Sequence, residues 1–211
     1  SVDLKDAIAK SQETGGNAIQ IYHHRQAEHK AQARRKRWEK RISEGNFRIV
    51  YQPIIQLHGD SQPKYEMLFR MMRREILPEQ FLGVAESTGV IERIDMEMAR
   101  RAIDMARRNQ KSGKPLTLFL NVSTKTLECD LYSDWLLDRL SKNHVPKGTL
   151  AFVIKEEDVP RFPKEIKRFV DMVKELGQSV VLKQSSAASC SNSMKFMREV
   201  KADYLKVNRL F

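Results

Sequence analysis

From Phe47 onward, segments whose apolar residues alternate with polar ones or form short runs are typical of β-strands. Arg48–Gln56 and Lys64–Met71 are strand-like, and the turn residues at 58–61 between them favour an antiparallel pair. Four later segments also predict strands, and the first two are mostly apolar, as in strands that are buried on both faces: Leu116–Val122, Leu150–Ile154, Ser179–Leu182 and Tyr204–Val207. The pattern therefore predicts six strands.

Helical periods separate these strands. Apolar residues recur three and four positions apart along five segments: Pro78–Ser87, Ile91–Met105, Leu131–Leu140, Ile166–Leu176 (which Gly177 closes) and Met194–Val200. Repeated strand–helix units imply parallel strands. We therefore predict the α/β class and a (β/α)8, TIM-like barrel with an antiparallel first strand. Six strands do not close such a barrel, so we expect its C-terminal part to be missing from the chain.

An open doubly wound sheet is the alternative fold. The chain contains neither a G-x-G-x-x-G motif nor a Walker loop, which a nucleotide-binding fold of that kind would favour.

The first 44 residues have a different pattern. A short amphipathic segment ends at Gly15-Gly16 and a strand-like stretch follows, so residues 1–22 are interpreted as the tail of a preceding domain. Residues 23–44 are rich in helix-favouring Ala, Gln, Glu, Lys and Arg. They predict a basic linker helix that leads into a folded domain at 45–211.

Charge and composition narrow the function class. The net charge is +11, but eight Lys or Arg and two acids give the segment from His23 to Arg41, which is most of the linker helix, +6 of it. The folded domain therefore has an ordinary charge, and we expect it not to bind nucleic acid. The N-terminus has no apolar signal core, no window is long enough to span a membrane, and two cysteines form no disulfide framework. These features indicate a cytoplasmic protein with no membrane insertion.

Polar residues lie at or near the ends of the predicted strands, where a (β/α) barrel carries its site. They are Gln52, Glu66, Arg70, Asn121, Glu156, Lys183, Gln184, Lys206 and Asn208. Each has a structural interpretation as well: Asn121–Thr124 could form a strand end with a helix cap, Glu156–Asp158 the acidic first turn of a helix, and Lys206 a surface lysine. Their recurrence at successive strand ends favours a shared site.

Ordered motifs across residues 45–211 resemble the EAL domain family, which comprises bacterial cyclic di-GMP phosphodiesterases and their inactive relatives. The motifs are Tyr51-Gln52-Pro53-Ile54, Tyr65-Glu66-Met67-Leu68-Phe69-Arg70, Ala85-Glu86 with Thr88-Gly89-Val90-Ile91, Leu120-Asn121-Val122-Ser123, and Lys206-Val207-Asn208. Residues 1–22 resemble the end of a GGDEF domain, the usual neighbour of an EAL domain.

The resemblance also implies that catalysis is lost. The family hydrolyses its substrate with two divalent cations that are held by carboxylates and an Asn, and oxygen ligands are what such ions require. Glu66 and Asn121 keep two of these positions, but Val153 replaces a Glu, and Lys183-Gln184 replaces two Asp residues. We therefore expect a degenerate EAL domain that is not an enzyme and holds no metal or other cofactor.

Loss of catalysis leaves the ligand positions that the resemblance implies. We predict that cyclic di-GMP binds without cations, with Lys183 partly replacing the charge of the metals. The predicted ligand-binding residues are Gln52, Glu66, Leu68, Phe69, Arg70, Asp95, Asn121, Glu156 and Lys183. The opposing interpretation is that Lys183 pairs with Glu66 in an empty pocket.

Within the family, the resemblance is to degenerate receptors that act in type IV pilus assembly and twitching motility. It implies a PilZ-domain protein as partner and allows a homodimer. Three alternatives stay open: a ligand-free interaction scaffold on the same fold, an active phosphodiesterase with a rearranged metal site, and nucleic-acid binding through the linker helix.

Overall fold

The computed structural model describes residues 29–30, 32–33, 36–37, 40, 47–55, 57, 62–72, 83, 85–87, 89–184 and 190–207. Its strands are β1 (Phe47–Ile54), β2 (Lys64–Met71), β3 (Thr117–Asn121), β4 (Leu150–Lys155), β5 (Ser179–Lys183) and β6 (Tyr204–Lys206). Its helices are α1 (Ile91–Lys111), α2 (Thr124–Leu127), α3 (Asp130–Lys142), a 3₁₀ turn (Glu156–Asp158), α4 (Pro163–Glu175) and α5 (Cys190–Glu199).

The six strands form one sheet in chain order, β1-β2-β3-β4-β5-β6. The first pair is antiparallel, as predicted, and places Gln52 opposite Glu66. All later pairs are parallel. A doubly wound sheet reverses its strand order at a switch point, whereas this sheet does not. The barrel-type order is therefore confirmed, and the doubly wound alternative is wrong.

The outer face of the sheet carries the main core. Strand residues such as Leu118, Phe152 and Leu182 are fully buried beneath helix residues that include Leu136 and Phe169. Phe152 meets Phe169 edge to face, with ring centroids 5.6 Å apart. Burying each large side chain contributes about 1.5–3 kcal/mol, so this layer supplies most of the stability.

The inner face of the sheet has a smaller apolar cluster that consists of Phe119, Ala151, Val153 and Val181. The sheet curves around this cluster so strongly that Lys206 on β6 reaches Glu66 on β2, across the three intervening strands. Such curvature is that of a barrel wall. It converts the inner face into a concave surface.

Helix ends follow the predicted signals in two places. Ser123 caps α2, because its hydroxyl oxygen accepts a hydrogen bond from the backbone N–H of Thr126. After α4, Gly177 adopts a φ of 71°, a left-handed conformation that glycine takes readily. The sequence pattern did not predict α2, because four residues are too few to show a helical period.

Several predictions lie mostly or wholly outside the described residues. Residues 1–22 are among them, together with most of the Pro78–Ser87 helix and Asn208. In the linker segment, the seven residues between 29 and 40 that the structure describes are helical and exposed. Within the described ranges, no helix is long and apolar enough to cross a membrane.

Candidate functional site

A pocket of about 410 Å³ opens at the carboxyl ends of the parallel strands. Eight of the nine predicted site residues line it: Gln52, Glu66, Leu68, Phe69, Arg70, Asp95, Asn121 and Lys183. Its apolar wall includes Ile91, Ile94 and Met98 of α1. The pocket is within the range of roughly 300–1,000 Å³ that small-molecule sites occupy.

Glu66 on β2 accepts hydrogen bonds from the neighbouring strand β3 and from the distant strand β6. The ammonium of Lys206 lies 2.6 Å from its Oε1 and 2.7 Å from its Oε2, and the side-chain amide of Asn121 donates to Oε1 over 3.2 Å. The side chain of Glu66 is only 13% exposed, so a cation is needed to offset its charge. Lys206 is therefore a structural partner of Glu66 and not a surface lysine.

Three lysines end three adjacent strands, and we call Lys155, Lys183 and Lys206 the lysine row. Lys155 is in register with Lys183, and Lys183 is in register with Lys206. Register partners in parallel strands project from the same face, and all three side chains line the pocket. The row therefore concentrates positive charge along one side of the pocket.

Lys183 differs from its two neighbours in its partners. Lys206 bonds to Glu66, and Lys155 lies 3.9 Å from both Glu86 and Glu157. Among the described residues, no carboxylate lies within salt-bridge distance of Lys183, so the structure does not contain the Lys183–Glu66 pair that the opposing interpretation requires. Partial burial and then the charge of Lys206 lower the pKa of Lys183, while Glu66 opposes the shift.

Asp95 of α1 also lines the pocket and is held in place by the N-terminal end of α2. Its Oδ2 accepts hydrogen bonds from the backbone N–H of Ser123 (2.9 Å) and from the hydroxyl of Thr126 (2.7 Å). Burial raises the pKa of Asp95 to about 6, although these hydrogen bonds lower it. The carboxyl group is therefore rigidly positioned and close to its titration range at neutral pH.

Arg70 lies at the end of β2, where the chain reaches the pocket rim. One of its guanidinium nitrogens donates to the carbonyl oxygen of Phe69 over 2.9 Å. Among the described residues no carboxylate lies within salt-bridge distance of Arg70, which leaves donor groups available for a phosphate oxygen.

Glu156 is the predicted site residue that does not line the pocket. It begins the 3₁₀ turn after β4, is 3% exposed, and accepts a hydrogen bond from the hydroxyl of Ser193 on α5 over 2.9 Å. Glu156–Asp158 form an acidic 3₁₀ turn of their own and not the first turn of the next helix, which begins at Pro163. Its neighbour Asp158 accepts from Thr124 in the same way, so both carboxylates join strand ends to helices.

The prediction of site residues omitted Glu86, Lys155 and the apolar wall. Lys155 is the last residue of β4, just as Lys183 is the last residue of β5. Choosing the polar residue at the strand end, one position before Glu156, would have found it. The wall residues of α1 could not be found, because an apolar helix face predicts core packing as readily as a pocket.

Comparison with known proteins supplies the family. The EAL domain model matches residues 35–211. The cyclic di-GMP phosphodiesterase PdeB of Shewanella oneidensis is 25% identical over 99% of this chain, which covers 25% of PdeB. An uncharacterised 76.5 kDa protein of Thiocystis violacea is 25% identical over 66% of this chain and 20% of its own length. The chain thus spans a quarter or less of these relatives.

Two solved structures of FimX EAL domains share the fold. One has a TM-score of 0.74 at 24% identity and covers 82% of this chain and 71% of its own. The other, from Xanthomonas citri in complex with c-diGMP, has a TM-score of 0.73 at 21% identity and covers 88% and 72%. Because the family model matches most of the chain, this protein belongs to the EAL domain family.

Proposed function

We propose that this chain is a non-catalytic EAL domain that binds cyclic di-GMP without metal ions and relays the signal to a protein partner. One observation carries the proposal: Lys183, with no carboxylate partner among the described residues, projects into the pocket between two other lysines. The ligand carries two phosphates, and a fixed cation in that position supplies the charge that bound cations would otherwise provide.

The donor set of the pocket does not fit a two-metal site. Both oxygens of Glu66 already accept from Lys206, and Asn121 turns its N–H group toward the same carboxylate. At two further positions where divalent ions would need oxygen ligands, the chain has the hydrocarbon of Val153 and the ammonium of Lys183. This chemistry supports a binding role over hydrolysis.

The remaining pocket chemistry suits a guanine nucleotide. Gln52 and Asp95 can exchange hydrogen bonds with a base, Leu68 and Ile91 provide apolar contact, and Arg70 can hold a phosphate. The FimX EAL domains of Pseudomonas aeruginosa and Xanthomonas citri, which share this fold, have been solved with c-di-GMP bound.

The proposed partner is a PilZ-domain protein, and the proposed context is control of type IV pili and twitching motility in the cytoplasm. This part rests on the resemblance to the FimX EAL fold. A ligand-free scaffold on the same fold is the second candidate, since the ion pair between Glu66 and Lys206 already stabilises the pocket without a ligand. It predicts that Arg70→Ala leaves partner binding unchanged.

Calorimetric titration of the whole chain with cyclic di-GMP in excess EDTA tests the proposal. We expect binding that EDTA does not weaken, and a loss of at least about tenfold in affinity for Arg70→Ala and Lys183→Met. Lys111→Met, which removes an exposed cation from the last turn of α1, is the matched control and should bind like the wild type. Binding that disappears with EDTA, or equal affinities for all variants, would contradict the proposal.

A further inference from the structure

A groove of about 560 Å³ lies between α3 and α4, in the helical layer outside the sheet. Leu137 of α3 forms one side, and residues of α4 form the other: Lys164, Lys167, Arg168, Asp171, Met172 and Glu175. Leu137 is 43% exposed and Met172 is half-buried, so part of the groove is apolar surface in contact with water. The rest of the groove is charged along the whole length of α4.

The charges on this face of α4 run against the helix dipole. From the N-terminal to the C-terminal end, the groove has three cations and then two acids. A helix carries partial positive charge at its N-terminus and partial negative charge at its C-terminus, so this order is unfavourable within one chain. Glu165 and Lys174, which do not line the groove, have the opposite and favourable order. A partner whose charges complement the groove would offset the unfavourable order.

The middle of this face is paired within the chain, whereas its two ends are not. Two ion pairs involve the middle residues, Lys167 with Asp171 and Arg168 with Asp130 of α3. Among the described residues, no opposite charge lies within salt-bridge distance of Lys164 or Glu175, and both side chains are exposed. The end residues therefore have charge available for a partner.

A second copy of α4 presents the complementary order of charges when it lies antiparallel to the first. Lys164 and Glu175 are about three turns apart, so they project from the same side of the helix. A two-fold axis that crosses α4 between residues 169 and 170 places Lys164 opposite Glu175 of the second copy. The same axis places Arg168 opposite Asp171 of the second copy. Each contact then occurs twice, because the same patch of both copies meets at a two-fold axis.

We infer that this face of α4, together with Leu137 of α3, is the interface of a homodimer in which α4 pairs antiparallel with α4 of a second copy of this chain. The inference goes beyond the proposed function, because the groove lies between outer helices and the ligand pocket lies at the strand ends. Association covers Leu137 and Met172, while the end pairs set the register. Pairs between exposed charges are individually weak, so the dimer forms at micromolar concentrations.

Sedimentation velocity of the whole chain at increasing concentrations measures the equilibrium between monomer and dimer. Lys164→Glu and Glu175→Lys each place two like-charge pairs in the interface, so each should weaken dimerisation at least about tenfold. Both substitutions favour the helix dipole of α4, so a loss of dimer cannot come from a weaker helix. Lys111→Glu, which makes the same charge change in the last turn of α1, is the matched control and should dimerise like the wild type.

Recombining the two variants tests the pairing itself. In an equimolar mixture of Lys164→Glu and Glu175→Lys chains, every end residue of one variant meets an opposite charge on the other. We therefore expect a heterodimer with about the affinity of the wild-type dimer. A single chain that carries both substitutions exchanges the two charges, and it should form a homodimer again for the same reason.

Three outcomes would overturn the inference. The first is a wild-type chain that stays monomeric up to hundreds of micromolar. The second is a dimer that neither single variant weakens, or that Lys111→Glu weakens equally, since the interface would then lie elsewhere or respond only to net charge. The third is a mixture that fails to restore the dimer. None of them affects the proposed function, which the calorimetric titration with cyclic di-GMP tests at the pocket.

Discussion

Lys183 and Lys206 are the same residue type in register on adjacent strands, but their neighbours give them different roles. Lys206 spans the inner face to bond Glu66, while Lys183 lies between two cations and stays without a carboxylate partner among the described residues. The difference arises because the curvature of the sheet brings β6, which carries Lys206, close to Glu66 on β2. It decides which lysine stabilises the fold and which one is available to a ligand.

Asp95 gives the clearest prediction at the residue scale. Burial raises its folded pKa from an ordinary value of 3.8 to about 6, so the folded chain binds its proton more tightly than the unfolded chain does. The resulting stabilisation is complete below about pH 4 and is lost as the pH rises through about 6. Relative to Asp95→Asn, the free energy of unfolding of the wild type should fall by about 3 kcal/mol between about pH 3 and pH 7.

Urea unfolding of both proteins at several pH values measures this difference. Taking the difference between the two curves removes the titration of groups that both chains share. Curves that stay parallel over this range would contradict the raised pKa of Asp95, and a difference of opposite sign would mean that its charged form is the one that the fold stabilises.

At the scale of elements, the left-handed backbone conformation directly after α4 requires a glycine at position 177. Gly177 has a φ of 71°, and a Cβ at this position would lie 2.5 Å from Cγ of Lys147. Gly177→Ala should therefore lower the free energy of unfolding by about 2 kcal/mol, partly from backbone strain and partly from displacement of Lys147. Thermal or urea unfolding measures the change.

Gly113 after α1 is the matched control, because its φ is 69° and nothing lies within 4 Å of the position that a Cβ would take. Gly113→Ala should cost about 1 kcal/mol, the backbone part alone. When Lys147→Ala removes the contacting side chain, the cost of Gly177→Ala in free energy of unfolding should fall toward the cost of Gly113→Ala. Equal costs for the two single variants would show that the contact with Lys147 adds nothing.

For the whole molecule, the ion pair between Glu66 and Lys206 links the second strand to the sixth and stabilises the curvature of the sheet. Glu66 is 13% exposed and Lys206 is 38% exposed, so the pair lies between the surface and buried classes. Lys206→Met should cost about 2 kcal/mol, because it leaves a mostly buried carboxylate without its cation. Urea unfolding at neutral pH measures this cost.

A second substitution tests whether the cost comes from the uncompensated charge. Glu66→Gln combined with Lys206→Met should recover more than half of the lost stability, because the neutral amide needs no cation. Lys111→Met reports the effect of removing one exposed charge from a chain of net charge +11. A double variant as unstable as Lys206→Met alone would mean that packing of the lysine stem, and not charge, is what β6 contributes.

Much of the fold was predictable because its signals are local. The bounds of β2, Lys64–Met71, are those that the hydrophobic pattern predicts, and the ends of the other described strands differ by only a few residues. Gly177 marks the end of α4 through its conformational freedom, which depends on no distant contact. The short α2 was missed because its stability comes from the Ser123 cap and the Asp95 contacts, and not from a period.

The location of the site was predictable from the sequence, but the side-chain contacts of its residues were less so. Eight residues that the resemblance singles out line one pocket, since parallel strands bring their carboxyl ends to the same edge. Glu156 is turned away because the chain enters a 3₁₀ turn directly after β4 and directs this side chain to α5. The position of a residue in a motif shows at which strand end it lies, but the turn that follows the strand decides the direction in which its side chain points.

The sequence by itself determined the element order, the antiparallel first pair, the parallel sheet and the set of residues at the strand ends, because local periods and connection lengths encode them. Only the tertiary structure decided that Lys206 pairs with Glu66, that Lys155 joins Lys183 in one row, and that Glu156 faces a helix. The physical reason is that an ion pair depends on the distance between atoms of separate strands, and that distance is set by the curvature of the whole sheet.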